Sequence, residues 1–143
     1  MTVVIEGYAS RFHQRDLNDD VTVPGAFRDS LIRTGPEGVR MLYQHKTEAP
    51  VGIWDEVFED AEGLYVRGRV LDVTPEGRMV CALIQAGVID GLSIGFCTQK
   101  SRFDETGRLR VLSGVDLWEV SLVTFPMLAS ARFSVVEALP VAA

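Results

Sequence analysis

Apolar alternation of period two, recurring in short runs cut by glycine, proline and Asx turn signals, constrains this chain more than any other feature. Leu64 to Leu71 sets Leu64, Val66, Gly68 and Val70 against Tyr65, Arg67 and Arg69. Asp60-Ala61-Glu62-Gly63 before it reads as a hairpin turn back to a run from Val51 to Glu59. Successive strand side chains point to opposite faces, so each such run predicts a half-buried strand. Val3 to Ser10, Val39 to His45, the run opening at Gly91, Arg108 to Leu112, Val115 to Thr124 and Ala131 to Val136 read the same way. Between them, Arg11 to Asp20 and Lys46 to Pro50 are expected loops, residues 102–107 a charged hairpin tip, and Ser113-Gly114 a turn.

Only two stretches carry helical spacing. One follows Pro24-Gly25, with Phe27, Leu31 and Ile32 on one face and Gly35-Pro36 as its stop. In the other, Thr74 suits the N-cap, Pro75 the first helical position, Met79, Val80, Leu83 and Ile84 one apolar face, and Gly87 the end. About eight strands joined mostly by hairpins predict a mainly β fold, a small antiparallel β-barrel flanked by two or more short helices. Residues 1–136 form a single domain in this reading, and 137–143 a flexible C-terminal tail.

Composition narrows the function classes. A chain of 143 residues buries enough surface to need no staple. The net charge of −6 argues against a nucleic-acid or anionic-membrane partner, which would require basic surface. No apolar run approaches the ~18 residues of a membrane span, and the opening Met1 to Glu6 lacks the pattern of a signal peptide. Cys81 and Cys97 both lie in apolar runs and read as buried free thiols of a reducing compartment. With no His/Cys cluster, CxxC, HExxH, GxGxxG or P-loop spacing, neither a metal nor a cofactor is expected.

The chemistry centres on Gly91-Leu92-Ser93-Ile94-Gly95-Phe96. Alternation puts Leu92, Ile94 and Phe96 on an apolar face and leaves Ser93 between two glycines on a nearly bare one. Glycine within a strand marks close approach by another group, read here as room for an incoming peptide backbone. Of the two histidines, His13 sits in a polar loop, whereas His45 closes an apolar strand. Glu119 is a carboxylate on a strand that is apolar nearly all round, sharing a face with Leu117, Ser121 and Val123. A serine hydroxyl becomes a good nucleophile when an imidazole takes its proton, and a carboxylate can orient that imidazole. Ser93, His45 and Glu119 are therefore the candidate set, each on or at the end of a different strand.

In order along the chain, Gly7-Tyr8-Ala9-Ser10, Val23-Pro24-Gly25-Ala26-Phe27, Leu42-Tyr43-Gln44-His45, Pro50-Val51-Gly52, Gly63-Leu64, Gly91 to Phe96, and Glu119 to Val123 followed by Pro126 resemble the phage prohead protease family. These are capsid maturation serine proteases related to herpesvirus assemblin. The resemblance implies an assemblin-like fold and a serine endopeptidase. It would cut the scaffold segment from a major capsid protein, and itself, inside an assembling prohead in the bacterial host. Ser93 matches the family's nucleophile, His45 its general base and Glu119 its acidic third member. No histidine follows His45, so the two-histidine arrangement of the viral assemblins does not fit. The resemblance also allows for a homo-oligomer and points to Arg132 as an assisting side chain for the oxyanion.

Alternatives remain at this level. Ser121 is a rival nucleophile, Asp116 a rival partner for the histidine, and Glu119 could pair with Arg69 or Arg132 as a structural carboxylate. His45 could cap a backbone carbonyl. A catalytically silent capsid-interior barrel and a small-ligand barrel are the competing functions.

Overall fold

A computed structural model describes residues 1–140. The strands are β1 (Thr2–Arg11), β2 (Asp20–Thr22), β3 (Arg40–Tyr43), β4 (Lys46–Glu59), β5 (Gly63–Leu71), β6 (Gly91–Phe103), β7 (Arg110–Val123) and β8 (Phe133–Leu139), with helices α1 (Arg28–Thr34) and α2 (Pro75–Gln85). They form one eight-stranded sheet in the order β2-β7-β3-β4-β5-β1-β8, with β6 on β7. Most pairs are antiparallel, but β2 and β3 lie parallel to β7, flanking its first and second halves.

The mainly β architecture with two helices agrees with the sequence; the closed barrel does not. The sheet curls until the start of β6 faces the segment before β8, where a lone bridge joins Gly91 to Arg132 and Leu92 N–H donates to Ala131 C=O at 2.9 Å. No strand ladder continues from there, because β6 leaves the body of the sheet and runs along β7 as an arm to Phe103, joined by β2 only at residues 110–112. The outer edge of β6 beyond Leu92 has no strand partner among the described residues.

One core lies under the sheet. Trp54, Phe27, Ile5, Met41, Leu64, Leu92 and Leu117 are fully enclosed in it. Trp54 also donates its indole N–H to Val120 C=O at 3.2 Å, tying β4 to β7 across β3. Helix α2 packs on β4 and β5, and Thr74 caps it by accepting from Gly77 N–H at 3.0 Å. Gly7 marks a crossing, since a Cβ there would stand 2.1 Å from the Arg132 carbonyl oxygen.

Several local expectations change. Asp20 to Thr22 is a strand rather than the end of a loop, held to β7 by the Asp20–Arg110 pair at 2.8 and 3.0 Å. Lys46 to Pro50 belongs to β4, and β7 runs unbroken through Ser113-Gly114 as part of the arm. Ile32 and Met79 are exposed, because each helix buries a narrower face than its apolar residues suggest. Cys81 is buried but Cys97 is exposed, lying where β6 has already left the core. Glu137 to Leu139 pair with β1 and so are sheet rather than tail, whereas residues 141–143 lie outside the described residues.

Candidate functional site

The site depends on one extra residue in β7. Leu117 pairs with Phe96 and Glu119 with Gly95, so Trp118 is a bulge with no partner on β6. A bulge shifts side-chain parity by one. Val115 and Leu117 point into the core before it, and Val120 and Leu122 after it. Glu119 and Ser121 are thereby moved to the face opposite Leu117, which corrects the expectation that the three share a face. Strand β6 keeps its parity on the core side, so Ser93 and Gly95 lie on the face that Glu119 and Ser121 now occupy. Ser93 stands opposite Ser121 in the ladder.

His45 arrives from the other side of β7. Tyr43 pairs with Lys46, leaving Gln44 and His45 as a two-residue hairpin loop with φ of 54° and 59°. Hairpins of this length favour positive φ at both loop positions, normally with Asn or Gly; a side chain with a Cβ pays about 1–2 kcal/mol there. The end of β7 holds the turn in that conformation. Gln44 N–H donates to Leu122 C=O at 2.9 Å, and the Gln44 side-chain amide donates to Thr124 Oγ1 at 2.6 Å while accepting from Thr124 N–H at 3.2 Å. His45 is therefore a loop residue folded back over β7, not the last residue of a strand.

The geometry at Glu119 follows. His45 Nδ1 lies 2.6 Å from Glu119 Oε1. A carboxylate can only accept, so Nδ1 carries a proton, and in the neutral imidazole Nε2 keeps a free lone pair. Ser121 Oγ donates to Glu119 Oε2 at 2.9 Å and accepts the backbone N–H of His45 at 3.0 Å. The hydrogen bond from His45 to Glu119 raises the imidazole pKa above its ordinary value; partial burial works against this, and the charge of Glu119 adds to the rise. Gly95 supplies the room: a Cβ there would stand 2.6 Å from Glu119 Cγ and 2.7 Å from Cδ and Oε1. The bare space beside Ser93 is thus filled by the Glu119 carboxyl, not left for a peptide. Gly91 is likewise covered, by Val123 C=O and the Pro126 ring.

Ser93 and His45 line the same cleft, walled by Leu92, Ile94, Phe96 and Leu128, with Asp16 and Asp20 across it. Ser93 Oγ makes no hydrogen bond among the described residues, whereas Ser121 is wholly enclosed and its hydroxyl is committed at both ends. The rival partners are occupied elsewhere. Asp116 pairs with Arg33 and accepts from Gln99, Arg69 pairs with Asp55, and Arg132 holds Asp90 and the Ala129 carbonyl. Arg132 does not line the cleft that holds Ser93. His13 is exposed in the loop after β1. No cluster of potential metal ligands occurs among the described residues, and none of the described helices is long and apolar enough to cross a membrane.

The fold is similar to that of solved viral proteases. The bacteriophage T4 capsid assembly protease gp21 superposes with a TM-score of 0.69 at 18% identity, over 86% of this chain and 82% of that one. KSHV protease in complex with a hexapeptide phosphonate inhibitor gives 0.64 at 12% identity, over 96% of this chain and 66% of that one. Residues 1–139 match the caudovirus prohead serine protease family, and the chain belongs to it. It is 38% identical over 125 residues to the prohead protease of Enterobacteria phage HK97, covering 86% of this chain and 55% of the HK97 protein. The chain thus spans little more than half the length of that relative.

Proposed function

We propose that this chain is the single protease domain of a prohead maturation enzyme, and that it hydrolyses peptide bonds by acyl transfer. The observation that carries this reading is the bond from His45 Nδ1 to the buried Glu119, with His45 lining the cleft that also holds Ser93, within a chain of the prohead protease family. The tautomer it sets leaves His45 Nε2 to take the Ser93 proton as Ser93 Oγ attacks the substrate carbonyl. The Glu119 carboxylate then faces the imidazolium that forms. Breakdown of the tetrahedral adduct expels the amine with the proton from His45, and water, activated by the same nitrogen, releases the acyl group.

The substrate is the scaffold segment of a major capsid protein, with the enzyme's own chain as a second one, cut inside the assembling prohead. An extended peptide would find free backbone donors and acceptors on the outer edge of β6 from Ser93 onward, with the cleft beside it for a side chain.

The test is intact-mass spectrometry after treatment with a fluorophosphonate, alongside Ser93→Ala and His45→Ala. One adduct on the native chain, lost in both variants, is expected. An unlabelled native chain, alone and with capsid protein present, would leave the silent capsid-interior protein as the better reading.

A further inference from the structure

One strand and one hairpin loop bring their groups to one oxygen atom. Ser121 Oγ receives the backbone N–H of His45 and gives its own proton to Glu119 Oε2, while the other carboxyl oxygen of Glu119 holds His45 Nδ1. The result is a closed ring: His45 backbone, Ser121 hydroxyl, Glu119 carboxyl, His45 imidazole. Each member is hydrogen-bonded to the next, the carboxyl accepting from both sides, and the ring is sealed from water on the Ser121 side, where that residue has no exposed surface.

Such a ring does what a single His–Glu bond cannot. One hydrogen bond leaves a carboxyl free to rotate about its side-chain torsions, and the Gln44 contacts hold the turn without fixing it to that carboxyl. Here the turn that carries His45 and the carboxyl that orients it are both fixed to the same hydroxyl. We propose that Ser121 is a positioning residue, setting where His45 sits relative to Glu119 rather than reacting with substrate. This rests on the assignment of His45 and Glu119 under the proposed function. A serine is suited to the task because it both donates and accepts, and because it is the next residue after Glu119 on the same face of β7. The other charged groups near His45 do not share the role. Asp20 is paired with Arg110, and Asp16 accepts the backbone N–H groups of Asn18 and Asp20 within its own turn.

The test combines two readouts, only one of which needs activity. The His45 imidazole is titrated by NMR in the native chain, in Ser121→Ala and in Ser121→Thr, its signals told from the one other histidine by His13→Gln. The native imidazole is expected to titrate above the ordinary histidine value, to fall towards it in Ser121→Ala as the carboxyl and the turn separate, and to recover in Ser121→Thr, which keeps the hydroxyl. In parallel, the fluorophosphonate labelling rate of Ser93 should fall about 10- to 100-fold in Ser121→Ala, the scale expected for a displacement of about 1 Å at a reacting group. A folded Ser121→Ala chain whose His45 titrates as in the native chain overturns the proposal. An unlabelled native chain whose His45 still shifts in Ser121→Ala refutes the nucleophile assignment and leaves the positioning role standing.

Discussion

Gly95→Ala separates two accounts of the bare face beside Ser93. The added Cβ would meet Glu119 Cγ at 2.6 Å and both Cδ and Oε1 at 2.7 Å, where ordinary van der Waals contact begins at 3.4 Å. The carboxyl must therefore give by about 0.7 Å, the gap between 2.7 and 3.4 Å. It cannot move freely, since Ser121 holds its second oxygen and the residue is buried. Taken from the His45 bond of 2.6 Å, that movement stretches the contact to about 3.3 Å, outside the range of a well-formed N–H···O bond. A displacement of this size at an orienting group costs up to about 100-fold in rate, or ~2.7 kcal/mol of barrier. The assay is the rate of Ser93 labelling by a small fluorophosphonate, with Gly114→Ala on the outer arm as the control for a strand glycine far from the site. Labelling in Gly95→Ala should slow by one to two orders of magnitude, roughly, while thermal unfolding stays cooperative. A folded variant labelled at the native rate refutes the argument. If it also failed to cut a peptide, the glycine would be serving substrate approach after all.

Other perturbations reach different parts of the structure. In Glu119→Gln the hydrogen bond to a carboxylate and, secondarily, the charge that raise the His45 pKa are gone, so the acid limb of the labelling rate should move to lower pH, while the maximal rate drops on the order of 10³–10⁴-fold as the tautomer loses its support. The same link has a stability sign. Because the folded state raises the His45 pKa, its contribution is fully present below the ordinary histidine value of 6.5 and is lost as pH rises through the folded value. With the His45 side chain 44% exposed, the amplitude stays under about 1 kcal/mol, read as the difference in Tm against pH between the native chain and Glu119→Gln. Arg110→Ala strands the buried Asp20 carboxylate and should cost about 2–3 kcal/mol in urea unfolding. Thr74→Ala removes the cap of α2 and should cost about 1 kcal/mol by the same measurement.

The parts of the fold legible in the sequence were those set by local chemistry. The β4–β5 hairpin followed from its turn residues and alternation, and α2 from Thr74, Pro75 and Gly87, because each signal lies within a few residues of the element it specifies. The open sheet was not legible, since whether β6 meets β8 depends on curvature summed over the intervening strands rather than on any one run. Strand β2 escaped notice for a related reason. It has three residues and is held by Arg110 from far along the chain, so no periodicity announces it.

At the site, residue identity was legible but orientation was not. Strict alternation through β7 puts Glu119 beside Leu117, on the core side of the sheet, where a carboxylate could never meet His45. The bulge at Trp118 resolves this, and its signal is present in the sequence as a conflict: Val115 and Leu117 demand one parity, and Val120 and Leu122 the other. A strand whose apolar residues change parity midway must contain an extra residue, and an exposed Trp118 between two buried stretches is where it falls. The hairpin loop hid its nature in the opposite way. Gln44-His45 lacks the Asn or Gly that positive φ ordinarily selects, so the run reads as continuous strand into His45. Only the anchors supplied by Leu122, Ser121 and Thr124 at the end of β7 make that turn tenable. Both departures from local rules thus converge on Glu119 and His45, and each is held by contacts with the same few residues of β7. A sequence breaks its own local preferences where the remote contacts are strong enough to override them, and in this chain that place is the cleft beside Ser93.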